Sequence, residues 1–291
     1  MYVPLWLNFK NHNRHIEHIR IQQPIFATQN KNMSTFLFDK IVFGPVKSRR
    51  LGVSLGINLL PTNLKICSFD CIYCECGWNQ KKQADSHSLP SKTEVKEKLA
   101  EKLSEMQETG VLPDVITFAG NGEPTLHPDF AGIIDDTLEL RDRFAPKARI
   151  AVLSNSSMIH KKPVFDALLK VDDNILKLDS AFEETVQLLD CPKGDFNLQK
   201  IVEQLIAFNG NVTIQTMFVK GSFKDKTVDN TTETEVNAWI ELLRKIKPRS
   251  VMIYTIDRDT PLDTLQKVPV EELNAIARKV KTAGFPVQVS G

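Results

Sequence analysis

The sequence predicts an α/β protein built on parallel strands. Three observations predict it. Apolar, strand-like runs alternate with segments of helical period. The alternation repeats at intervals of about 25 to 40 residues, the spacing of βα units. No Pro- or Ser-rich linker breaks it after residue 33, so the 291-residue chain reads as one domain with a sizeable core.

The elements follow in order. "LGVSLGINLLP" (51–61) is the first strand. In "SKTEVKEKLAEKLSEMQETG", Ser91 and Glu94 form a capping box, Val95, Leu99, Leu103 and Met106 form one apolar stripe, and Gly110 stops the helix. "DVITFAG" (114–120) is a buried strand, 128–143 a helix, "ARIAVLSN" (148–155) a strand and 162–170 a short helix. "ILKLDS" (175–180) is the fourth strand, and "NLQKIVEQLIAF" (197–208) is a helix ended by Asn209 and Gly210. "NVTIQTMFV" (211–219) is the fifth strand. A Thr232–Glu235 capping box opens the next helix, and "SVMIYTID" (250–257) is the sixth strand. A helix over 270–283 ends at Gly284, and "FPVQVS" is a short final strand. Six strands in βα units are fewer than the eight of a complete barrel. An open, doubly wound sheet is the other arrangement. In both, ligands bind at the carboxyl ends of the strands.

Lys plus Arg is 37 against 36 for Asp plus Glu. That balance gives no support for a dedicated nucleic-acid binder. The basic knots at 47–50, 81–82 and 161–162 read as solvated loops. No apolar run reaches membrane-spanning length, and "MYVPLWLNF" lacks the apolar core and cleavage site of a signal peptide. The cytoplasm is therefore the expected compartment, where clustered cysteines point to metal or redox chemistry before disulfides. Residues 1–32 are rich in Asn, Gln and His without a sustained period. They read as a poorly structured leader, or as lying upstream of a true start at Met33, with the domain at 33–291. His12, His15 and His18, spaced by three, read as part of that leader rather than a metal site.

"CSFDCIYCEC" (67–76) holds four of the five cysteines. Cys67, Cys71 and Cys74 have the spacing CxxxCxxC, which brings three thiolates to one small inorganic object. Zinc asks for four ligands, and Cys76, Glu75 and His87 are the nearby choices for a fourth. Cys76 stands only two residues past Cys74, a poor spacing for aiming both at one ion. A four-iron cluster normally takes four cysteines. Three would leave one iron open to a substrate or cofactor. The residues alone favour iron–sulfur and leave zinc open.

CxxxCxxC with the aromatic Tyr73 before its third cysteine resembles the radical SAM superfamily over residues 36–291. The resemblance implies a partial (βα)6 TIM-like barrel. It implies a 4Fe-4S cluster on Cys67, Cys71 and Cys74, with S-adenosylmethionine (SAM) on the open iron. Reduction by a flavodoxin- or ferredoxin-type donor would cleave SAM to a 5′-deoxyadenosyl radical, which abstracts hydrogen from an unidentified substrate. "GNGEP" (120–124) resembles the superfamily's Gly-Gly-Glu segment, with Asn121 at a position where many members have Gly. It implies that Gly120, Asn121, Gly122 and Glu123 hold the methionine end. Glycines allow close backbone approach and Glu123 offers a carboxylate to an ammonium, although Glu123 also suits a helix start. The same resemblance places Ser154, Asn155 and Asp179 near the ribose and carboxylate, and Ile256 at the adenine. Each polar one of these also suits a cap or turn. Lys177, Gln215 and Arg258 are candidates for catalysis or substrate binding. Lys177 alternates with Asp179, and a charged pair facing a barrel interior is costly without pairing or function.

"FGPVKSRRLGVSLGINLLP", "GNGEPTLHPDF", "IQTMFVKG" and "YTIDR" resemble, more narrowly, the iron–sulfur oxidoreductase group related to wyosine-type tRNA modification enzymes. The archetype of that group condenses pyruvate carbons onto a tRNA guanosine and uses a second cluster on N-terminal cysteines. This chain has no cysteine before Cys67, which argues against the same reaction and predicts a single cluster. Three alternatives stand beside the main reading: a tRNA-modifying enzyme of this superfamily, a protein-activating one, and a non-enzymatic zinc module using Cys76. Cys76 reads as a loop residue beside the cluster, and Cys191 as a small buried apolar residue.

Overall fold

The computed structural model describes residues 36–48, 52–80 and 88–291. The leader 1–32 with its three histidines, Arg49 and Arg50, the Lys81–Lys82 knot and His87 lie outside the described residues. The elements run β1 (Val42–Ser48), β2 (Gly52–Ile57), α1 (Lys92–Thr109), β3 (Val115–Phe118), α2 (Phe130–Phe144), β4 (Arg149–Ser154), α3 (Lys162–Lys170) and β5 (Asp173–Lys177). Then follow α4 (Glu183–Leu189), α5 (Leu198–Ala207), β6 (Thr213–Met217), β7 (Val219–Phe223), β8 (Lys226–Asp229), α6 (Glu233–Ile246), β9 (Ser250–Tyr254), β10 (Gln266–Lys267), α7 (Val270–Thr282) and β11 (Val287–Ser290).

The local signals act as chemistry requires. Ser91 Oγ accepts the Glu94 amide at 3.1 Å, and Gly110 closes α1 with φ of 72°. Val95, Leu99, Leu103 and Met106 are all buried. Thr232 Oγ1 accepts the Glu235 amide at the start of α6.

The eight-stranded sheet has the order β1-β2-β3-β4-β5-β6-β9-β11. It is parallel throughout except for β1, which pairs antiparallel with β2. A doubly wound sheet reverses its strand order at a switch point. This order never reverses, so the strands step round one partial barrel of the TIM type. Alternate strand residues face opposite ways. Ile116, Phe118, Ile150, Val152, Leu176 and Ile214 pack with Leu99, Leu103, Ile133, Leu168, Leu205 and Trp239 of the helices. On the other face, Val115, Ala151 and Ile175 pack with Leu153 and Met252 as the barrel's inner floor.

The structure differs from the expected elements in four places. The short final strand joins the barrel as its seventh parallel strand, β11 pairing with β9, and β1 adds an antiparallel strand that the sequence reading does not include. The fourth strand starts at Asp173 and stops at Lys177, so Asp179 lies in the loop beyond it. The expected strand 211–219 breaks at Phe218. That ring is buried edge-on against Trp239, at 5.5 Å, and its amide bonds Tyr254 O at 2.8 Å. The chain then turns over the rim into a second sheet of order β10-β7-β8. α4, of seven residues, has no side-chain cap bond and is too short to show a helical period.

Candidate active site

The cysteine loop leaves the carboxyl end of β2 and is stitched to its neighbours. The Ile66 amide bonds Asn121 O at 2.9 Å, and the Glu123 amide bonds Ile66 O at 3.1 Å. That approach demands a glycine between them. Gly122 has φ of 137°, and a Cβ there would stand 1.8 Å from Ile66 O. On the far side the Ile72 amide bonds Leu189 O at 2.9 Å, and Asn79 Oδ1 accepts the Cys67 amide at 2.8 Å. Two successive reverse turns then curl the loop. The Cys74 amide bonds Cys71 O at 3.1 Å, and the Gly77 amide bonds Cys74 O at 2.9 Å. The result is a cavity of about 290 Å³ lined by Cys67, Cys71, Cys74 and also Cys76. Among the described residues, no three His, Cys, Asp or Glu side chains gather around the position of a single metal ion. The four thiols line this cavity.

The cavity sets its thiols among buried charged groups, Lys65, Lys177 and Glu123. Burial pushes the Cys67 thiol up to about 12 and Cys71 well above the usual range. Cys74 is drawn down to about 5, chiefly by a hydrogen bond from Cys76, with Lys65 assisting. Any metal centre must therefore displace protons from Cys67 and Cys71. Lys65 is a buried lysine whose Nζ donates to Gly77 O at 2.8 Å and lies 3.7 Å from Asp70. Burial works against its charge, but the neighbouring thiolates outweigh burial and raise its pKa. Three soft thiolate donors lining one cavity, with a buried ammonium beside them, fit an iron–sulfur cluster.

Glu123, which is 2% exposed, lines the same cavity as the cysteines. Its Oε1 accepts from the Thr125 amide at 3.0 Å and from the Thr125 hydroxyl, capping the short turn Pro124–Leu126. Its Oε2 accepts the Asn155 amide at 2.6 Å. Burial raises its pKa against the pull of these bonds. Glu123 thus serves the helix-start role and faces the cavity as well. Gly120, Gly122, Ser154 and Asn155 line the same space. Asn155 Nδ2 donates to Ser68 Oγ at 2.8 Å and lies 3.5 Å from Cys67 Sγ, so it ties the third strand to the cysteine loop.

Asn121 points elsewhere. Its side-chain amide donates to Phe38 O and Pro61 O and accepts from the Phe38 amide, so it fastens the chain outside the cavity. Asp179 is also set back. Its carboxylate accepts from the Tyr73 hydroxyl, from Lys177 Nζ at 2.8 Å and from the Met217 amide at 2.9 Å. Lys177 and Tyr73 line the cavity, and both also engage Asp190, at 3.3 Å and 2.9 Å. Burial disfavours the Lys177 ammonium, but Asp179 and Asp190 outweigh it and hold its pKa well above the usual lysine range. Lys177 is therefore a locked cation and a poor nucleophile. Gln215, level with Lys177 across β5 and β6, and Ile256 line the cavity. Arg258 stands at its rim, paired with Glu75 at 2.8 Å and lying over the Phe36 ring.

Lys65, Asp190, Met217 and Tyr254, which no sequence motif marks as site residues, complete the site together with Cys76. Lys65 stands two residues before Cys67, which could have flagged it. Asp190 belongs to no motif.

Residues 64–234 match the model of the radical SAM superfamily, a span that begins at the cysteine loop and takes in β3 to β8. The chain belongs to the radical SAM superfamily. It is also 30% identical over 225 residues to a UPF0026 protein of Synechocystis, covering 76% of this chain and 77% of the relative, and so belongs with those proteins. A UPF0026 protein of Methanocaldococcus jannaschii is 33% identical over 74% of this chain. A Brachyspira hyodysenteriae protein named GTPase Obg is 31% identical over 92% of it. The chain spans 63% and 37% of the lengths of those two relatives. Among solved structures, a radical SAM methyltransferase from Sphaerobacter thermophilus superimposes with a TM-score of 0.60, at 15% identity, over 81% of this chain and 65% of that one. TYW1 with a lysine–pyruvate adduct gives 0.55, at 15% identity, over 79% and 73%. These two share the radical SAM barrel fold. Membership in the superfamily supports radical SAM chemistry and implies an iron–sulfur cluster and SAM.

Proposed function

We propose that this chain holds one 4Fe-4S cluster on Cys67, Cys71 and Cys74, binds SAM beside it, and uses the pair to abstract hydrogen from a substrate in the barrel mouth. One observation carries the reading: the three thiols and the Glu123 carboxylate line one cavity at the carboxyl ends of the parallel strands. When bound, cluster and SAM supply the chemistry, reductive cleavage of the sulfonium to methionine and a 5′-deoxyadenosyl radical. The protein's own residues position and shield. Glu123 receives the methionine ammonium while the Asn155 and Thr125 amides fix its orientation. Asn155 also donates toward Cys67 Sγ, and Lys65 offsets thiolate charge. Leu153, Met217 and Ile256 are the apolar part of the wall that keeps water from the reacting centre. The reading calls for a flavodoxin- or ferredoxin-type electron donor and a reducing compartment such as the cytoplasm. Its substrate is unidentified, with a tRNA and a protein as the candidate classes.

Glu123→Gln tests the reading. The amide keeps the shape, loses the charge offered to the ammonium and turns a donor toward the Asn155 amide. Removing a charge-assisted pair that binds the cofactor should lower SAM cleavage at fixed, subsaturating SAM by about 100-fold, the equivalent of about 2.7 kcal/mol. Iron and sulfide content should stay at the wild-type level. Wild-type cleavage in the variant would remove Glu123 from the cofactor site.

A further inference from the structure

Cys76 is the cavity thiol the reading above does not use. Residues two apart on a strand do share a face, but a strand would carry the chain onward and leave only one thiol at the cavity. Here the backbone between Cys71 and Gly77 is two reverse turns, closed by the Cys74–Cys71 and Gly77–Cys74 amide bonds. Gly77, with φ of 75°, lets the second turn close. Cys76 is thereby folded back onto the cavity that Cys67, Cys71 and Cys74 line. Its Sγ lies 3.5 Å from Gly120 O. That places it beside the Gly120–Glu123 segment, in the same cavity as the three cysteines.

We propose that Cys76 is a reserve ligand: in cluster-loaded protein without SAM, its Sγ takes the fourth iron, and SAM displaces it. The inference rests on the cluster reading. The exchange is balanced. On binding iron, Cys76 gives its proton to solvent and forms one Fe–S bond. On SAM binding, that bond breaks, the SAM ammonium gives one proton to the departing Cys76 thiolate, and the resulting amine, whose remaining N–H groups face Glu123, would coordinate the iron together with the SAM carboxylate. A four-iron cluster normally has four cysteine ligands, and an iron without a protein ligand is the one most easily lost. Cys76 would thus protect the resting cluster, at the cost of competing with SAM. A competitor that occupies the binding-competent site weakens the apparent affinity by the fraction of sites it leaves free.

The test uses full-length wild-type, Cys76→Ala and Cys191→Ala proteins, reconstituted anaerobically with iron and sulfide, without SAM. Each is treated with a mild one-electron oxidant and read by iron content and electron paramagnetic resonance. Cys191 does not line the cavity, so its variant controls for loss of any thiol. Wild type and Cys191→Ala are expected to keep about four irons per cluster. Cys76→Ala is expected to lose one and show the signal of a three-iron cluster. Adding SAM before the oxidant should protect Cys76→Ala, and its apparent SAM affinity should be at least about threefold tighter than wild type. Loss of the fourth iron from wild type as readily as from Cys76→Ala overturns the proposal. So does equal SAM affinity. If Cys76→Ala takes up no cluster, the Cys76→Ser protein, with its weak hydroxyl ligand, replaces it in the same comparison. Absence of any cluster from wild type would instead overturn the cluster reading itself, and iron content distinguishes that outcome.

Discussion

Gly122→Ala should destabilise the protein by about 3–5 kcal/mol. The backbone there holds φ of 137°, and an added Cβ would lie 1.8 Å from Ile66 O. Strain at such a position costs about 1–3 kcal/mol. Relief requires the Ile66 carbonyl to retreat, which weakens its bond from the Glu123 amide and the partner bond from Ile66 to Asn121, each contributing about 1 kcal/mol. Those two bonds hold the cysteine loop against the Glu123 segment, so iron uptake should fall together with stability. Gly110→Ala is the control. Gly110 also has positive φ, at 72°, but a Cβ there meets nothing within 4 Å. Its cost should be the backbone preference alone, about 1 kcal/mol. Urea denaturation of both variants checks this. Equal losses would mean that backbone conformation, and not the close approach, makes glycine necessary at 122.

Lys177→Met should cost a comparable amount for an electrostatic reason. Lys177 lies between Asp179 and Asp190 at 2.8 and 3.3 Å, and both carboxylates are nearly inaccessible. Removing the cation leaves two buried carboxylates facing each other, with the Tyr73 hydroxyl as their remaining shared donor. Breaking a buried pair from one side typically costs about 3–5 kcal/mol. The cause can be isolated by a second change. Adding Asp190→Asn removes one charge and keeps a polar partner for Tyr73, and should recover at least about 1 kcal/mol. If the double variant is no more stable than Lys177→Met, Lys177 contributes by packing and not by neutralising the pair. The same result bears on catalysis, because a lysine held charged by two carboxylates positions Tyr73 and the loop beneath Cys71 rather than attacking a substrate.

Much of this architecture is legible in the chain because its signals are local. The Ser91 and Thr232 caps, the α1 stripe and the uninterrupted apolar strands each follow from a few adjacent residues. The cysteine triplet and the Gly-rich segment with Glu123 fall at the ends of consecutive strands, and the structure brings them to one cavity. What was not legible depends on contacts distant in sequence. Asn121 sits inside a ligand-like motif, but its amide is engaged by Phe38 and Pro61. Asp179 reads as an inward strand residue because alternation was carried past Lys177, where the strand ends. Asp190 joins the site only because the loop after α4 passes beneath the cysteine loop. Cys76 was judged by strand spacing although its segment is two turns. The break at Phe218 depends on Trp239, some twenty residues on, and no periodicity reports that.

The central claim is that the three cysteines hold a cluster that cleaves SAM. Its most direct test is 5′-deoxyadenosine formation by anaerobically reconstituted protein supplied with SAM and dithionite, comparing wild type with Cys71→Ala. The account predicts product from wild type, a full iron and sulfide complement in it, and neither in the variant. Wild-type protein that takes up no iron and sulfide, or a Cys71→Ala protein that forms product as fast as wild type, would contradict it.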